Sequence, residues 1–166
     1  RDLRMSRGLG DVYKRQVYTE LEAKVLDIFA GTGAMGLEAL SRGAAEAVFI
    51  DRTTSDIIRK NAERCHMSGQ VKVIARDVTP ALKLLGGKSF DYIFMDPPYR
   101  KGYINEILKE ILSCGICSDD AIIVAEHSVS EAPDLSLFED RLDLWKEKKS
   151  GAIVVTYLRC RTTEGV

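Results

Sequence analysis

The chain has 166 residues, with 24 Lys and Arg against 25 Asp and Glu, for a net charge of -1. That length suits one domain with a sizeable core, and the near-neutral balance excludes a protein that holds nucleic acid by its overall charge; such a contact has to come from a local patch. No apolar run approaches the ~18 residues of a membrane span and no signal peptide is visible, so a cytoplasmic chain with no membrane partner is expected.

Residues 1–16 (RDLRMSRGLGDVYKRQ) are basic, contain glycine and show no periodicity. They read as a disordered tail, a hairpin fragment, or a remnant foreign to the gene, since the chain starts with Arg rather than Met. Residues 17–22 lead in as a loop or a broken helix end, and 17–166 read as one domain. From Lys24 the pattern is regular. A strand over 24–29 precedes a helix over about 34–42, with Gly43 at the C-cap position. A second strand covers 47–50. The next helix starts at Thr54 or Ser55 as N-cap and sets Ile57, Ile58 and Ala62 on one face. A strand over 71–75 is followed by a helix over about 78–85, stopped by Gly86-Gly87. A strand over 92–95 is followed by a helix over about 103–113, where Ile104, Ile107, Leu108, Ile111 and Leu112 recur at helical spacing. A fifth strand spans 121–125. After a loop with Pro133, two extended segments over about 140–148 and 152–159 form a hairpin around Lys149-Ser150-Gly151. Alternating strands and helices predict an α/β fold: a mostly parallel sheet, helices on both faces, right-handed crossovers, and one antiparallel strand from the hairpin.

The first strand runs into Gly31-Thr32-Gly33-Ala34-Met35-Gly36, a Gly-x-Gly-x-x-Gly turn that opens a helix. Such a turn lets a ligand approach the main chain closely, and the helix presents free N–H groups to it. Two ligand classes use this device. Dinucleotides set a pyrophosphate there; S-adenosylmethionine brings an ammonium and a carboxylate instead. Asp27, four residues before Gly31, repels a pyrophosphate and attracts an ammonium, which favours S-adenosylmethionine. Asp27 also has a purely structural reading, in which it satisfies backbone N–H groups of the turn.

Ligands bind at the carboxyl ends of the strands in such a sheet. The second strand ends at Asp51, twenty residues past Gly31, placed to accept from both ribose hydroxyls. The third ends at Arg76-Asp77, where Asp77 accepts from the adenine amine, with the Val78 N–H beside it, or caps the next helix. The fourth ends in Asp96-Pro97-Pro98-Tyr99. Two prolines fix the backbone and remove two donors, so the Pro97 carbonyl points into the pocket. Asp96 and that carbonyl accept the two N–H bonds of an amine on a planar ring, and Tyr99 stacks on the ring. The alternative is a structural Pro-Pro turn with a buried tyrosine. Arg100 and Lys101 stand beside the clamp, placed to hold phosphates. The basic residues of the second helix (Arg59, Lys60, Arg64) and of the hairpin (Lys146, Lys148, Lys149) read as solvated faces. His127, at the end of the fifth strand, either contacts the base or phosphate or is a satisfied wall residue. His66 reads as structural. The four cysteines, including Cys114-Gly-Ile-Cys117, read as core or surface thiols, with no metal site.

The string Asp27 to Ala44 (DIFAGTGAMGLEALSRGA), then Asp96-Pro97-Pro98-Tyr99, then Val124-Ala125-Glu126-His127, resembles the RsmD-like guanine-N2 methyltransferases of small-subunit ribosomal RNA. The resemblance runs from about residue 24 to 160 and thins after His127. It implies a Rossmann-like class I methyltransferase with a seven-stranded sheet. It implies cofactor contacts from Asp27, Phe29, Ala30, Gly31, Thr32, Gly33, Gly36, Asp51, Asp77 and Val78, and a catalytic clamp at Asp96 to Tyr99. It also implies a bacterial enzyme acting as a monomer on one guanine of 16S rRNA, within a 30S subunit or an assembly intermediate. Two features depart from the family. Its basic N-terminal hairpin and Arg-Pro-Thr segment are missing, and residues 1–16 do not replace them. Asp51 stands where relatives usually carry Glu.

DNA adenine-N6 and protein glutamine methyltransferases share the clamp. The former usually carry a recognition insertion for which nothing here is long enough, and the latter usually have Asn first. A NAD-dependent oxidoreductase is disfavoured by Asp27 and the clamp. A fragment that only binds cofactor stays open.

Overall fold

The computed structural model describes residues 22–161. The sequence expectations for residues 1–16 and for 17–21 lie outside the described residues. Among the described residues there are seven strands and four α-helices, alternating as far as β5: β1 (Lys24–Ile28), α1 (Ala34–Ser41), β2 (Glu46–Ile50), α2 (Ser55–Arg64), β3 (Val71–Ile74), α3 (Val78–Leu84), β4 (Phe90–Met95), α4 (Tyr103–Cys114), β5 (Cys117–Ser128), β6 (Leu142–Ser150) and β7 (Ile153–Cys160). The sheet order is β3-β2-β1-β4-β5-β7-β6. β1 to β5 are parallel, and β7 runs antiparallel between β5 and β6.

The central strands carry apolar residues on both faces because helices cover both faces. Leu26, Ile28, Val48, Ile50, Ile93 and Met95 join the core under α3 and α4, while Val25, Ala47, Phe49, Tyr92 and Phe94 join the core under α1 and α2. The helix α4 buries Ile104, Ile107, Leu108, Ile111 and Leu112, starts at left-handed Gly102 and stops at left-handed Gly115 (φ 64°). Glycine fits there because a Cβ makes that conformation costly. In α1 a Cβ at Gly36 would run into the Phe49 ring, so the helix lies directly on β2.

Several boundaries differ from those expected. Strand β4 begins at Phe90, two residues early, since Asp91 masks the apolar pattern. Its carboxylate accepts from the Lys24 N–H (2.9 Å) and the Ser118 hydroxyl (2.7 Å), which ties three strands together. Strand β5 is longer than expected, because Phe90 pairs with Cys117 and Tyr92 with Ile122 across a bulge that contains left-handed Asp120. The hairpin turn sits one step later than expected: Ser150 pairs with Ile153, so the loop is Gly151-Ala152, with Gly151 at φ 63°. That matches a two-residue hairpin loop with positive φ at its first position. Thr54 is the N-cap residue of α2 but its side chain makes no capping bond. Arg42 is the C-cap residue of α1, and Gly43 follows it at φ 112°.

The chain moves outward from β1 to β3, then returns to β4 beside β1. The carboxyl ends of β1 and β4 are therefore adjacent, with Ile28 opposite Met95. Their loops diverge to opposite faces of the sheet, and a crevice opens between them.

Candidate active site

The glycine turn is built by backbone bonds. Ala30 N–H donates to the Ile50 carbonyl (3.1 Å) and Gly33 N–H to the Ala30 carbonyl (2.8 Å). Gly31 and Gly33 take φ 58° and 82°, and Phe29, before them, takes φ 57°. A phenylalanine in that region is uncommon and costs energy. The Thr32 carbonyl accepts from Asn61 on α2 (2.9 Å). Asp27 is fully buried, and its Oδ2 accepts from the Gly36 N–H (3.1 Å). The structural reading of Asp27 is therefore realised: it pins the first turn of α1.

A cavity of about 670 Å³ lies over the strand ends. At β2 it is walled by Asp51, Arg52 and Thr53, and at β3 by Arg76, Asp77, Val78 and Thr79. Phe29, Asp96 and Pro98 wall it at the switch point, and Arg100, Tyr103, Glu106, Ile107 and Glu110 along α4. Among the residues expected from sequence, Phe29, Asp51, Asp77, Val78, Asp96, Pro98 and Arg100 share this wall. Asp27, Ala30, Gly31, Thr32, Gly33, Gly36, Pro97, Tyr99, Lys101 and His127 do not. Sequence reasoning missed Arg52, Thr79, Tyr103, Glu106 and Glu110. For α4 the signal was present: Tyr103, Glu106 and Glu110 flank the apolar stripe at helical spacing.

Asp51 joins strand end to turn. Its Oδ2 accepts from the Gly31 N–H (2.9 Å), and its Oδ1 from the N–H groups of Thr53 (2.9 Å) and Thr54 (3.1 Å). Partial burial opposes ionisation, but the N–H bonds from Thr53, Gly31 and Thr54 outweigh it and hold the carboxyl below its ordinary range. Asp51 is thus a fixed anion at the cavity wall. Asp77 occupies the N-cap position of α3 without a capping bond; instead Arg52 Nη1 lies 3.5 Å from its Oδ1. Across the cavity mouth, Thr79 donates to Glu110 (2.9 Å) and links α3 to α4.

The clamp leaves the end of β4. Asp96 and Pro97 are half-buried, while Pro98 is exposed and Tyr99 is 75% exposed. Tyr99 is therefore not the buried tyrosine that the alternative reading expected. Arg100 does not stand free beside the clamp: its guanidinium lies 4.3 Å from the Tyr103 ring centroid and 3.0 Å from Glu106. His127 is buried on β5. Its Nδ1 donates to the Ser128 carbonyl (2.7 Å) and its Nε2 meets the Thr156 hydroxyl (2.6 Å). Each ring nitrogen offers one bond, so neither remains for a base or phosphate, and the satisfied-wall reading is the one this geometry supports. The CxxC does not form a pair either: Cys117 hydrogen-bonds with Cys160 on β7, which lowers the pKa of the Cys117 thiol and raises that of Cys160.

A parallel sheet reversing at β1/β4, a glycine turn and acidic strand ends, closed by an antiparallel β7, define the class I methyltransferase fold. Escherichia coli yhhF, a solved structure, superimposes with a TM-score of 0.81 at 29% identity, covering 95% of this chain and 88% of that one. The chain belongs to the family described as Conserved hypothetical protein 95, whose model matches residues 12–159. Its curated relatives bear out the resemblance drawn from the sequence. Ribosomal RNA small subunit methyltransferase D of Escherichia coli is 34% identical over 135 residues, 80% of this chain and 66% of that protein. YlbH of Bacillus subtilis is 35% identical over 106 residues, 61% of this chain and 58% of that protein. The chain thus matches about three-fifths to two-thirds of these relatives' length.

Proposed function

We propose that this chain transfers a methyl group from S-adenosylmethionine to the exocyclic N2 amine of a guanine in 16S ribosomal RNA. The observation that carries the reading is Asp96-Pro97-Pro98-Tyr99 at the end of β4, with Asp96 on the cavity wall and Tyr99 open to solvent beside it. The names of the relatives support the ribosomal substrate.

The cavity suits the cofactor in size and chemistry. About 670 Å³ is within the range of cofactor pockets. With the cofactor bound, Asp51, an ionised acceptor, would take the ribose hydroxyls, Asp77 and the Val78 N–H would meet the adenine edge, and Asp27 lies behind the turn that would face the amino-acid end. The group supplies a methyl already activated on a sulfonium. The residues have to align the amine with it. A guanine amine is a poor nucleophile because its lone pair is delocalised into the ring. The Asp96 carboxylate and Pro97 carbonyl accept its two N–H bonds and stabilise the charge that develops on nitrogen, and the proton that nitrogen loses passes to the Asp96 carboxylate and from there to solvent. Tyr99 stacks on the base and fixes its plane. Lys101 holds a neighbouring phosphate. The chain works as a cytoplasmic monomer on a 30S subunit or an assembly intermediate.

Methyl transfer from labelled cofactor to naked 16S rRNA and to 30S subunits, followed by nucleoside analysis, tests this. Label in N2-methylguanosine is the expected result. Label in an adenine product, or on protein, would replace the substrate assignment.

A further inference from the structure

The α4 wall of the cavity contains a bridge between the two loops that the reaction needs. Phe29 follows β1 with φ 57° and sets its ring edge-on to Tyr103, centroids 5.7 Å apart at 71°. The Arg100 guanidinium lies over the Tyr103 ring at 4.3 Å, and its Nη2 is 3.0 Å from Glu106 Oε2. The Tyr103 N–H donates to the Arg100 carbonyl (3.0 Å), and the Glu106 N–H to the Gly102 carbonyl (3.2 Å). Phe29 is the residue before the Ala30-Gly31 turn, and Arg100 follows Tyr99. One line of contacts therefore runs from the glycine turn to the clamp.

Arg100 and Glu106 are more than half exposed, and an exposed ion pair or a lone cation–π contact contributes little to global stability. Their effect is local. The segment 96–102 is short, has two prolines at one end and left-handed Gly102 at the other, and lacks a helix or strand of its own. Three contacts of one arginine fall on that segment.

We propose that Tyr103 and Glu106 are positioning residues: acting through Arg100, they hold the clamp loop against the glycine turn, so that amine and methyl donor keep one separation and angle. This rests on the methyl-transfer reading above. A misplacement on the order of 1 Å costs about 10²-fold in rate, so a looser loop reads out in turnover rather than in cofactor affinity. The planar ring is what Arg100 stacks on, so Tyr103→Phe preserves the device and Tyr103→Leu removes it. Glu106→Gln keeps shape and loses the charge.

The test uses the full chain and two readouts. Amide hydrogen exchange over residues 99–103 is measured by mass spectrometry, and transfer kinetics are measured on the RNA substrate. Tyr103→Leu and Glu106→Gln should each speed exchange in that segment several-fold, with β1 and the rest of α4 unchanged. Each should lower kcat about tenfold with KM for cofactor within about twofold. Tyr103→Phe should keep exchange and most of the rate. Unchanged exchange in both disruptive variants would overturn the proposal. So would a rise in KM at constant kcat, which makes these residues cofactor wall, or equal losses for Tyr103→Phe and Tyr103→Leu. If the parent chain transfers no methyl group, the reading of function fails, and the exchange data alone decide whether the bridge holds the loop.

Discussion

Asp51 and Gly31, twenty residues apart in sequence, meet through a 2.9 Å hydrogen bond from the Gly31 N–H to the Asp51 carboxylate. The end of β2 thereby sets the glycine turn at the end of β1. The same carboxylate is the expected ribose acceptor, so scaffold and ligand contact share one group.

The pH dependence follows from that bond. Asp51 titrates below its ordinary value of 3.8, with burial opposed and outweighed by N–H bonds from Thr53, Gly31 and Thr54. A depressed carboxyl adds stability that is complete above its unfolded value of about 4 and lost as pH falls through its folded value. Asp51→Asn should therefore flatten the acid side of the stability profile below about pH 4, measured as urea midpoint against pH. It should also weaken binding of S-adenosylhomocysteine in calorimetry at neutral pH. An acid limb identical to the parent's would count against this account of the bonds.

Asp27→Ala removes a buried acceptor and strands the Gly36 N–H at the start of α1. Leaving a buried donor unsatisfied costs about 1–3 kcal/mol. Denaturant unfolding should show that loss, with Asp27→Asn milder because an amide oxygen still accepts. If Asp27 also meets the cofactor ammonium, S-adenosylhomocysteine binding should drop further in Asp27→Asn than its stability predicts. Parallel losses in both measurements would leave Asp27 a scaffold residue alone.

Gly36→Ala places a methyl group against the Phe49 ring. Overpacking of a tight core costs about 1–3 kcal/mol. Phe49→Leu in the same chain should recover part of it, and the double-mutant cycle should show positive coupling. Additive effects would mean the helix shifts freely off the strand.

Asp96→Ala should leave melting and cofactor affinity close to the parent's while transfer falls about 10²–10³-fold, the usual cost of losing one acceptor from a preorganised site. Asp96→Asn should retain some rate. Tyr99→Ala should weaken RNA binding and rate, and Tyr99→Phe should be mild, because stacking needs the ring and not the hydroxyl. Parent-level transfer by Asp96→Ala would return the clamp to a structural turn.

Lys101 probes the RNA face more cleanly than Arg100, whose charge is shared with Glu106 and Tyr103. Lys101→Glu should weaken RNA binding and reduce the slope of log K against log salt by about 0.7–0.9 for each phosphate that the lysine neutralises in the parent. Cofactor affinity should not move. A slope equal to the parent's would remove Lys101 from the interface.

The order of strands and helices, the glycine turn, and the acids at the ends of β2, β3 and β4 were legible from residue 24 onward, because each is a local signal. Apolar runs of period 2 and 3.6, glycines where φ is positive, and acids where strands stop need only neighbours in sequence. The extent of β5 and its bulge were not legible, because Asp91, Ser118 and Lys24 compensate one another across strands. Nor was the state of His127, whose ring is satisfied by Thr156, twenty-nine residues away on β7. Arg100 read as a phosphate contact; in the fold its guanidinium also meets Tyr103 and Glu106, partners the sequence did not reveal. The sequence by itself determined which elements form and which side chains could carry the chemistry. Tertiary structure decided which of those side chains still had a bond to offer, since a polar group's capacity depends on every partner that packing brings to it.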